Sequence, residues 1–434
     1  MRNRWLPNFA GDPDRAERAA SLLSRTVAAG AIALIVATRP LWTPQPVFPR
    51  VPFFAWLRSA PGWLEWTALS IVTAGLVGAL LAGSGRRIGR WSLVAFAGGL
   101  AFLALTDEHR LQPWVYQFFL LSLVLAALPA GDAIAWSRIH IASLYVYSAI
   151  SKLDWTFIES GGGQIVQGLL QCLPLDGNLS ATSRRILAGS LAGGELLIGI
   201  GLCFRLSRRF AFYASLVMHA LLIAALGPWG AHQKPGVLLW NAWFVVQNIV
   251  LFGFAGDTPA SLAATPPAKG RATWLGLAVR GLIVFAVVFP LTEPFGWCDV
   301  WPAWAVYATG PERLRVYINL NSADIARVAK VIGPYIDPPR FIDNRCLVRI
   351  DRWSLDATQS PLYPQNRFRM GVALALARAA GLEQTIYVEL DSPADRWSGQ
   401  RTTRALSSSA AVVAELNRDW LNGSPRPFDG TPQR

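Results

Sequence analysis

RIHIASLYVYSAISKLDWTFI, residues 138–158, is the stretch that decides the fold, because an apolar run long enough to enter a bilayer ends there in charged and aromatic residues. Lys152, Asp154 and Trp155 lie together at one end of that run. Lys152 is also unusual by type, since the chain has 40 Lys and Arg residues and nearly all of them are arginine. A rare lysine at the end of a hydrophobic run is the first candidate for a functional group.

The composition is that of a polytopic membrane protein. Of 434 residues, 53% are hydrophobic and 15% charged, and 19 are tryptophan, which departs from the usage of soluble domains. The formal net charge is +13, but the arginines stand in short groups between apolar segments, where they orient helices. Nucleic acid is therefore excluded as a partner, and a lipid bilayer is expected. The preference for arginine, with much alanine and glycine, indicates a bacterial source.

About nine apolar segments approach the ~20 residues that span a hydrocarbon core. They cover residues 21–38, 63–82, 91–105, 114–130, 137–153, 186–204, 210–227, 236–255 and 274–294. With the N-terminus in the cytoplasm, a series of basic residues between the segments falls on the cytoplasmic side: Arg86, Arg87, Arg90, Arg138, Arg205, Arg208, Arg209, Lys269 and Arg271. The Lys152 end of the fifth segment and everything after residue 295 then lie outside. We predict a multi-pass inner-membrane protein with an extracytoplasmic C-terminal domain.

Four regions follow from this pattern. They are a cytoplasmic segment (1–20), a transmembrane helical domain (21–298), an extracytoplasmic domain (299–422) and a disordered tail (423–434). In the third region, strand patterns in RVYINL, CLVRIDRW and QTIYVEL alternate with helix patterns in SADIARVAKVIG, FRMGVALALARAAG and TTRALSSSAAVVAELNRDWL. This order favours a small α/β domain attached to a mainly α membrane bundle.

Polar residues inside the apolar segments are the candidate site residues, since a charge at the bilayer centre costs at least ~2.5–3.5 kcal/mol. Tyr145, Ser148 and Lys152 share one helical face. If neighbouring helices shield Lys152 from water, its ammonium form is disfavoured and the neutral amine can act as a general base. The catalytic candidates are Lys152, Glu195 and His219. The candidates for a substrate or cofactor pocket are Tyr145, Ser148, Asp154, Trp155, His109 and Asn241.

Each candidate also has a structural interpretation. A lysine at a helix end can extend to the membrane interface, and Glu195 and His219 can hydrogen-bond between helices. Asn241 can pack among its neighbouring tryptophans, and residues 107–110, DEHR, can form either a solvated turn or the wall of a pocket. The cysteines, Cys172, Cys203, Cys298 and Cys346, lack CxxC spacing, so no metal site is predicted. Whether Cys298 and Cys346 form a disulfide is not decided by the sequence.

The segment SLYVYSAISKLDWTFI resembles a motif of the vitamin K-dependent gamma-carboxylases and the related bacterial HTTM (horizontally transferred transmembrane) proteins, in which lysine and leucine precede a short polar turn and a tryptophan. Lys152-Leu153 aligns with that Lys-Leu pair. TDEHRLQPWVYQ and GPWGAHQKPGVLLWNAW are also similar to sequence blocks of HTTM-like proteins. The resemblance covers Ser21 to Gly296 and implies that Lys152 is the base that deprotonates a reduced quinone at the external face.

The C-terminal region departs from the carboxylases, whose large β-rich domain engages a substrate protein. The same lysine helix is also similar to that of DoxX-like and MauE-like membrane proteins, which assist redox or maturation reactions. The alternative function is therefore a non-catalytic subunit that assembles or anchors a larger complex with a membrane or periplasmic protein partner. A transporter ranks third, since no broken-helix pair or inverted repeat stands out.

Overall fold

Helices make up most of the chain. The computed structural model describes residues 13–44, 47–172, 179–255, 274–338 and 344–428. Residues 1–12, Lys269, Arg271 and residues 429–434 lie outside this part, so the predictions made for them are not addressed. The first helix begins at Pro13, so the end of the predicted cytoplasmic segment already belongs to it.

The membrane half is a bundle of helices. Its helices are α1 (Pro13–Ala37), α2 (Arg39–Trp42), α3 (Gly62–Ala82), α4 (Arg87–Thr106), α5 (Pro113–Ala127), α6 (Ala130–Lys152), α7 (Gly162–Cys172), α8 (Ala181–Cys203), α9 (Arg205–Leu226), α10 (Pro235–Asn248) and α11 (Trp274–Val288). π-Helical turns at Phe157–Gly161 and Ile249–Phe254 precede α7 and extend α10. A 3₁₀ segment, Phe289–Phe295, extends α11.

Seven of the described helices are long and apolar enough to cross a membrane, so the nine predicted crossings are not confirmed. The fourth predicted segment corresponds to α5, which has only 15 residues. The fifth corresponds to α6, which is long enough but carries buried Ser137, Arg138 and His140 along its length. Arg138 donates through Nε to the carbonyl of Leu251 at 2.8 Å. Because α6 packs against protein rather than lipid, its side chains need not be apolar.

The C-terminal region forms a four-stranded sheet packed against helices. Its strands are β1 (Arg313–Asn319), β2 (Arg345–Val348), β3 (Tyr387–Asp391) and β4 (Thr403–Leu406). Its helices are α12 (Ser322–Ile332), α13 (Ile350–Thr358), α14 (Asn366–Ala380) and α15 (Ser409–Leu416). The strand order is β2-β1-β3-β4, and every neighbouring pair is antiparallel. The buried helix α14 carries much of the domain's core.

Three details of the predicted α/β domain are corrected. The sheet is antiparallel, whereas a repeated β-α-β order favours a parallel sheet with helices layered on it. The predicted strand CLVRIDRW ends at Val348, and its second half begins α13. The predicted closing helix starts with β4, because Thr403–Leu406 pairs with β3 before α15 begins. Alternation and helix patterns in such short segments do not separate these options.

The two halves share one buried junction. Phe48 and Val51, from the chain between α2 and α3, belong to the hydrophobic core of the C-terminal domain. Residues 423–428, expected to begin a disordered tail, pack at the same junction: the Arg426 amide donates to the carbonyl of Arg50 at 2.9 Å, and Phe428 contacts Trp353. All four cysteines are free, so Cys298 and Cys346 form no disulfide.

Candidate functional site

Lys152 forms a salt bridge inside the bundle. Its Nζ lies 2.8 Å from Oε2 of Glu195 and 2.6 Å from Oγ of Ser148. The two charged side chains are only 10% and 14% exposed, so Lys152 does not extend into bulk water. Lys152 ends α6, and Glu195 lies in the middle of α8. The structure therefore brings two of the catalytic candidates into direct contact.

A glycine explains how α6 and α8 approach so closely. Gly199 lies one helical turn after Glu195 on α8, and a Cβ added there would lie 2.9 Å from Val146 Cγ2 and 3.0 Å from Tyr145 Cβ. Small residues at membrane helix interfaces allow such close backbone packing. The short Lys152–Glu195 contact depends on this approach, since the two side chains extend from facing helices.

A second polar network lies on the same side of α6. The Tyr145 hydroxyl is 2.7 Å from Nε2 of His219, and Nδ1 of His219 is 3.0 Å from Oδ1 of Asn241. Asn241 in turn donates through Nδ2 to the carbonyl of Val237 at 2.9 Å. Three helices, α6, α9 and α10, thus contribute one residue each to a continuous chain of hydrogen bonds. The candidates Tyr145, His219 and Asn241 are brought together.

The direction of this chain follows from its last acceptor. A backbone carbonyl only accepts, so Asn241 must present its amide nitrogen to Val237 and its oxygen to His219. Nδ1 of a neutral His219 therefore carries the proton, and Nε2 accepts a hydrogen bond from the Tyr145 hydroxyl. The imidazole is fixed in one tautomer and one orientation. It is a positioned acceptor for the Tyr145 proton.

Asn248 and Ser215 complete the network. Asn248 donates through Nδ2 to the Tyr145 hydroxyl at 2.7 Å and to Ser215 Oγ at 3.0 Å. These bonds leave the single proton of Tyr145 free to point at His219, which agrees with the tautomer derived above. Asn248 could be singled out in the sequence as an amide in an apolar segment. Ser215 could not, because helix serines commonly bond only their own backbone.

Asp154 and Trp155 lie beyond the end of α6 and do not contact the salt bridge. Asp154 Oδ1 accepts from the Phe157 amide at 2.8 Å and from Thr156 Oγ1 at 2.6 Å, which caps the turn leading into α7. Trp155 is 41% exposed, and its amide donates to the carbonyl of Arg396 at 2.8 Å. Both predicted pocket residues therefore organise the chain after Lys152.

His109 belongs to a different buried cluster. Its Nε2 lies 3.0 Å from the carbonyl of Pro361 and 3.2 Å from Ser354 Oγ, both in the C-terminal domain. Burial lowers the pKa of His109 to about 4, so the imidazole is neutral at physiological pH. The loop residues 107–110 are all buried, which excludes the solvated turn. These residues are buried because they lie between the two packed halves of the chain. Patterns in a single sequence do not reveal such a position.

We call the charged residues around this loop the junction cluster: Arg50, Glu65, Glu108, Arg110, Asp299, Arg367 and Arg426. Glu65 is completely buried and pairs with Arg50 at 2.8 Å, Arg110 at 2.7 Å and Arg426 at 2.5 Å. These arginines come from three separate parts of the chain. One carboxylate thereby joins the bundle, the following loop and the end of the chain.

The other half of the junction cluster places two carboxylates on one arginine. Arg367 forms two hydrogen bonds with Asp299 and also approaches Glu108. Burial alone would raise the pKa of Asp299, but the bonds from Arg367, Tyr363 and Gln365 lower it overall. Burial raises the pKa of Glu108 to about 8 against the opposing charge of Arg367. One arginine thus contacts two carboxyl groups whose pKa values are shifted in opposite directions, that of Asp299 downwards and that of Glu108 upwards.

Among the described residues, no group of three His, Cys, Asp or Glu side chains is arranged to hold a metal ion. No protein family, curated protein or solved structure matches the chain. The likeness of the Lys152 segment to HTTM proteins therefore stays an expectation.

Proposed function

We propose that the chain is a membrane enzyme in which the Lys152–Glu195 pair moves a proton from a hydroxyl group of a lipophilic substrate. The observation that carries this proposal is the short contact of Nζ with Oε2, held in the bundle and little exposed to water. A buried ion pair costs several kcal/mol per ion to desolvate. Such a pair on facing helices, next to a fixed histidine, is a typical arrangement for proton transfer at a membrane site.

The geometry assigns the two charges different roles. Because Nζ is bonded to a carboxylate, Glu195 is the group ready to accept a proton, and the Lys152 ammonium is placed to stabilise the resulting oxyanion. This differs from the neutral Lys152 amine that shielding from water predicts, because the Glu195 carboxylate stabilises the ammonium form. His219 and Tyr145 stand beside the pair as a second proton acceptor and donor in fixed orientation. By the resemblance, a reduced quinone is the substrate to test.

The proposal includes a topology. With α5 and α6 added to the seven long apolar helices, the bundle crosses the inner membrane nine times, from a cytoplasmic N-terminus to an extracytoplasmic C-terminal domain. The arginine groups Arg86–Arg90 and Arg205–Arg209 support this orientation. Reporter fusions after residue 84 and after residue 428 should be active only on the cytoplasmic and the external side, respectively. The opposite pattern would reverse the site's location.

The direct test uses purified protein in lipid nanodiscs with reduced quinone, bicarbonate and oxygen. Epoxide or carboxylated product should form with the wild type and fall to background with Lys152→Ala and Glu195→Gln. Lys234→Ala is the matched control, because Lys234 also forms a salt bridge, to Asp356 at 2.9 Å, but on the exposed surface. Product at wild-type level in Lys152→Ala, or none above background in any sample, would overturn the quinol-dependent enzyme.

A second candidate function is a non-catalytic subunit of a larger complex. The observation that favours it is the outer face of the sheet, where Arg345 lies over the Tyr387 ring at 3.5 Å beside a depression of about 320 Å³. Half-buried arginine and tyrosine side chains of this kind are typical of interface hot spots. A partner that co-purifies with the wild type at fixed stoichiometry, and is lost in Arg345→Glu with the bundle intact, would favour this function.

A further inference from the structure

A large cavity separates the end of the membrane bundle from the C-terminal domain. Its volume is about 940 Å³. The bundle contributes residues at the ends of its helices, among them Ser151, Asp154 and Glu293. The C-terminal domain contributes Glu312 and Asp419 from the opposite side. We call this space the interface cavity, and it is distinct from the Lys152–Glu195 contact, which does not line it.

The interface cavity lies at the level where the membrane ends. Phe295 is the last residue of a span that begins at Trp274, and it lines the cavity. On the other side, the Arg396 carbonyl accepts from the Trp155 amide at 2.8 Å, and Arg396 Nη2 donates to the carbonyl of Ile150 at 3.1 Å. These bonds fix a loop of the C-terminal domain against the last turn of α6. Both walls are therefore anchored at the lipid–water boundary.

Large aromatic side chains next to the cavity project away from the protein. Phe295 is 77% exposed, Trp297 follows the lining residue Gly296 at 71% exposure, and Trp397 follows the lining residue Arg396 at 81%. Exposed tryptophans at the end of a membrane span are typical of the headgroup layer. Their position on both walls indicates that the cavity is reached from the bilayer interface.

The polar lining has more free acceptors than donors. In the described part of the chain, Glu293, Glu312 and Asp419 have no salt bridge or side-chain hydrogen bond, and all three line the cavity. Asn366 also lines it, and its Oδ1 is a buried acceptor without a donor. Desolvation and the charge of Asp419 raise the pKa of Glu312. A ligand that brings N–H donors and positive charge would satisfy these groups.

Arginine in the same lining accounts for the opposite charge. Arg396 makes one hydrogen bond through Nη2, which leaves guanidinium donors for an anion such as a phosphate. The cavity thus offers carboxylates and an amide oxygen for an ammonium group together with arginine for a phosphate. We infer that the interface cavity binds the headgroup of an amine-bearing zwitterionic phospholipid, whose acyl chains leave through the aromatic mouth into the bilayer. This binding is independent of the proton-transfer chemistry.

The test measures lipid retention by native mass spectrometry of the full chain released from nanodiscs of defined composition. Dioleoyl-phosphatidylethanolamine should be retained in preference to dioleoyl-phosphatidylcholine, which lacks N–H donors, and to dioleoyl-phosphatidylglycerol, which lacks the cation. Glu312→Gln and Asp419→Asn should each weaken retention about tenfold, as expected for loss of one charge-assisted hydrogen bond. Glu383→Gln is the matched control, since this exposed carboxylate lies outside the cavity lining.

Each other outcome overturns the inference. Equal retention of all three lipids would mean that the cavity does not discriminate between their headgroups. Equal binding of soluble glycerophosphoethanolamine would mean that the ligand is not a lipid, and preference for a basic peptide would assign the cavity to a protein partner. Thermal unfolding of each variant checks that the fold is intact. Because neither Glu312 nor Asp419 touches the Lys152 pair, these results do not depend on the enzyme assay.

Discussion

The Lys152–Glu195 pair and the junction cluster are both buried charge networks, yet their construction differs. Glu65 in the junction cluster is completely buried and meets three arginines, so its charge is fully compensated. Glu195 meets one lysine, and both side chains keep some exposure. Full compensation from distant parts of the chain is what a structural connection needs. A single partner and residual access are what a reacting pair needs. Burial of charge alone does not separate the two roles.

Among the substitutions that compare the two networks, Glu65→Gln should reduce the stability of the protein most. Loss of the carboxylate leaves Arg110 and Arg426 buried without their counter-charge, so we expect the free energy of unfolding to fall by about 3–5 kcal/mol. Denaturant titration in detergent measures it. Glu389→Gln on the outer face of the sheet removes the partly exposed partner of Arg315 and should cost at most about 1 kcal/mol. Equal effects would contradict the structural role of the cluster.

The change of the protein's stability with pH should depend on Glu108 in the junction cluster. Its pKa of about 8 lies above the ordinary 4.5, so the folded state keeps a proton that the unfolded state has lost between these values. The contribution to stability is complete below about pH 4.5 and is lost as the pH rises towards 8. From pH 5 to 8 the loss is on the order of 3 kcal/mol.

Glu108→Gln should flatten this slope, whereas Glu383→Gln, on the exposed surface, should keep it. Unfolding free energies at pH 5, 6.5 and 8 provide the comparison. An unchanged slope in Glu108→Gln would show that Glu108 is ionised in the folded protein and that Arg367 compensates both carboxylates.

Lys152→Met should reduce the free energy of unfolding by about 2 kcal/mol, which is less than for Glu65→Gln. The reason is that the unpaired Glu195 side chain keeps some exposure to solvent. The double variant Lys152→Met/Glu195→Met should recover most of this loss, since no buried charge is left. Lys234→Met, at an exposed pair, should stay within about 1 kcal/mol of wild type. If the double variant is the least stable of the set, the pair is mainly a structural connection.

The smallest effect is expected for Tyr145→Phe, which removes the hydroxyl that donates to His219 and accepts from Asn248. Because Asn248 keeps its hydrogen bond to Ser215, the cost should be about 1 kcal/mol. Nε2 of His219 then loses its donor, and its ¹⁵N chemical shift should move while Nδ1 stays protonated towards Asn241. Tyr147→Phe is the control, because the Tyr147 hydroxyl bonds the carbonyl of Val287 and not the histidine. A protonated Nε2 in the wild type would disprove the derived tautomer.

Sequence patterns alone went far in the membrane half. Apolar segment length and the arginine groups predict the helices, and the polar exceptions Lys152, Glu195, His219 and Asn241 stand out because a bilayer penalises each of them. The structure brings all four into the two adjacent networks around α6. The count of crossings was less well determined. The hydropathy of α6 reflects the protein around it rather than lipid, and hydropathy alone does not separate the two.

What only the tertiary structure decided is which polar groups meet across distance in the chain. Residues 107–110 have the composition of a solvated turn, yet the C-terminal domain covers them through the contacts of His109 with Pro361 and of Glu108 with Arg367. No local pattern reports a contact between residues more than 250 positions apart. Ser215 is likewise indistinguishable from an ordinary helix residue until the fold brings Asn248 to it. The physical reason is that hydropathy and periodicity are local properties, whereas compensation of buried charge depends on which distant segments fold against each other.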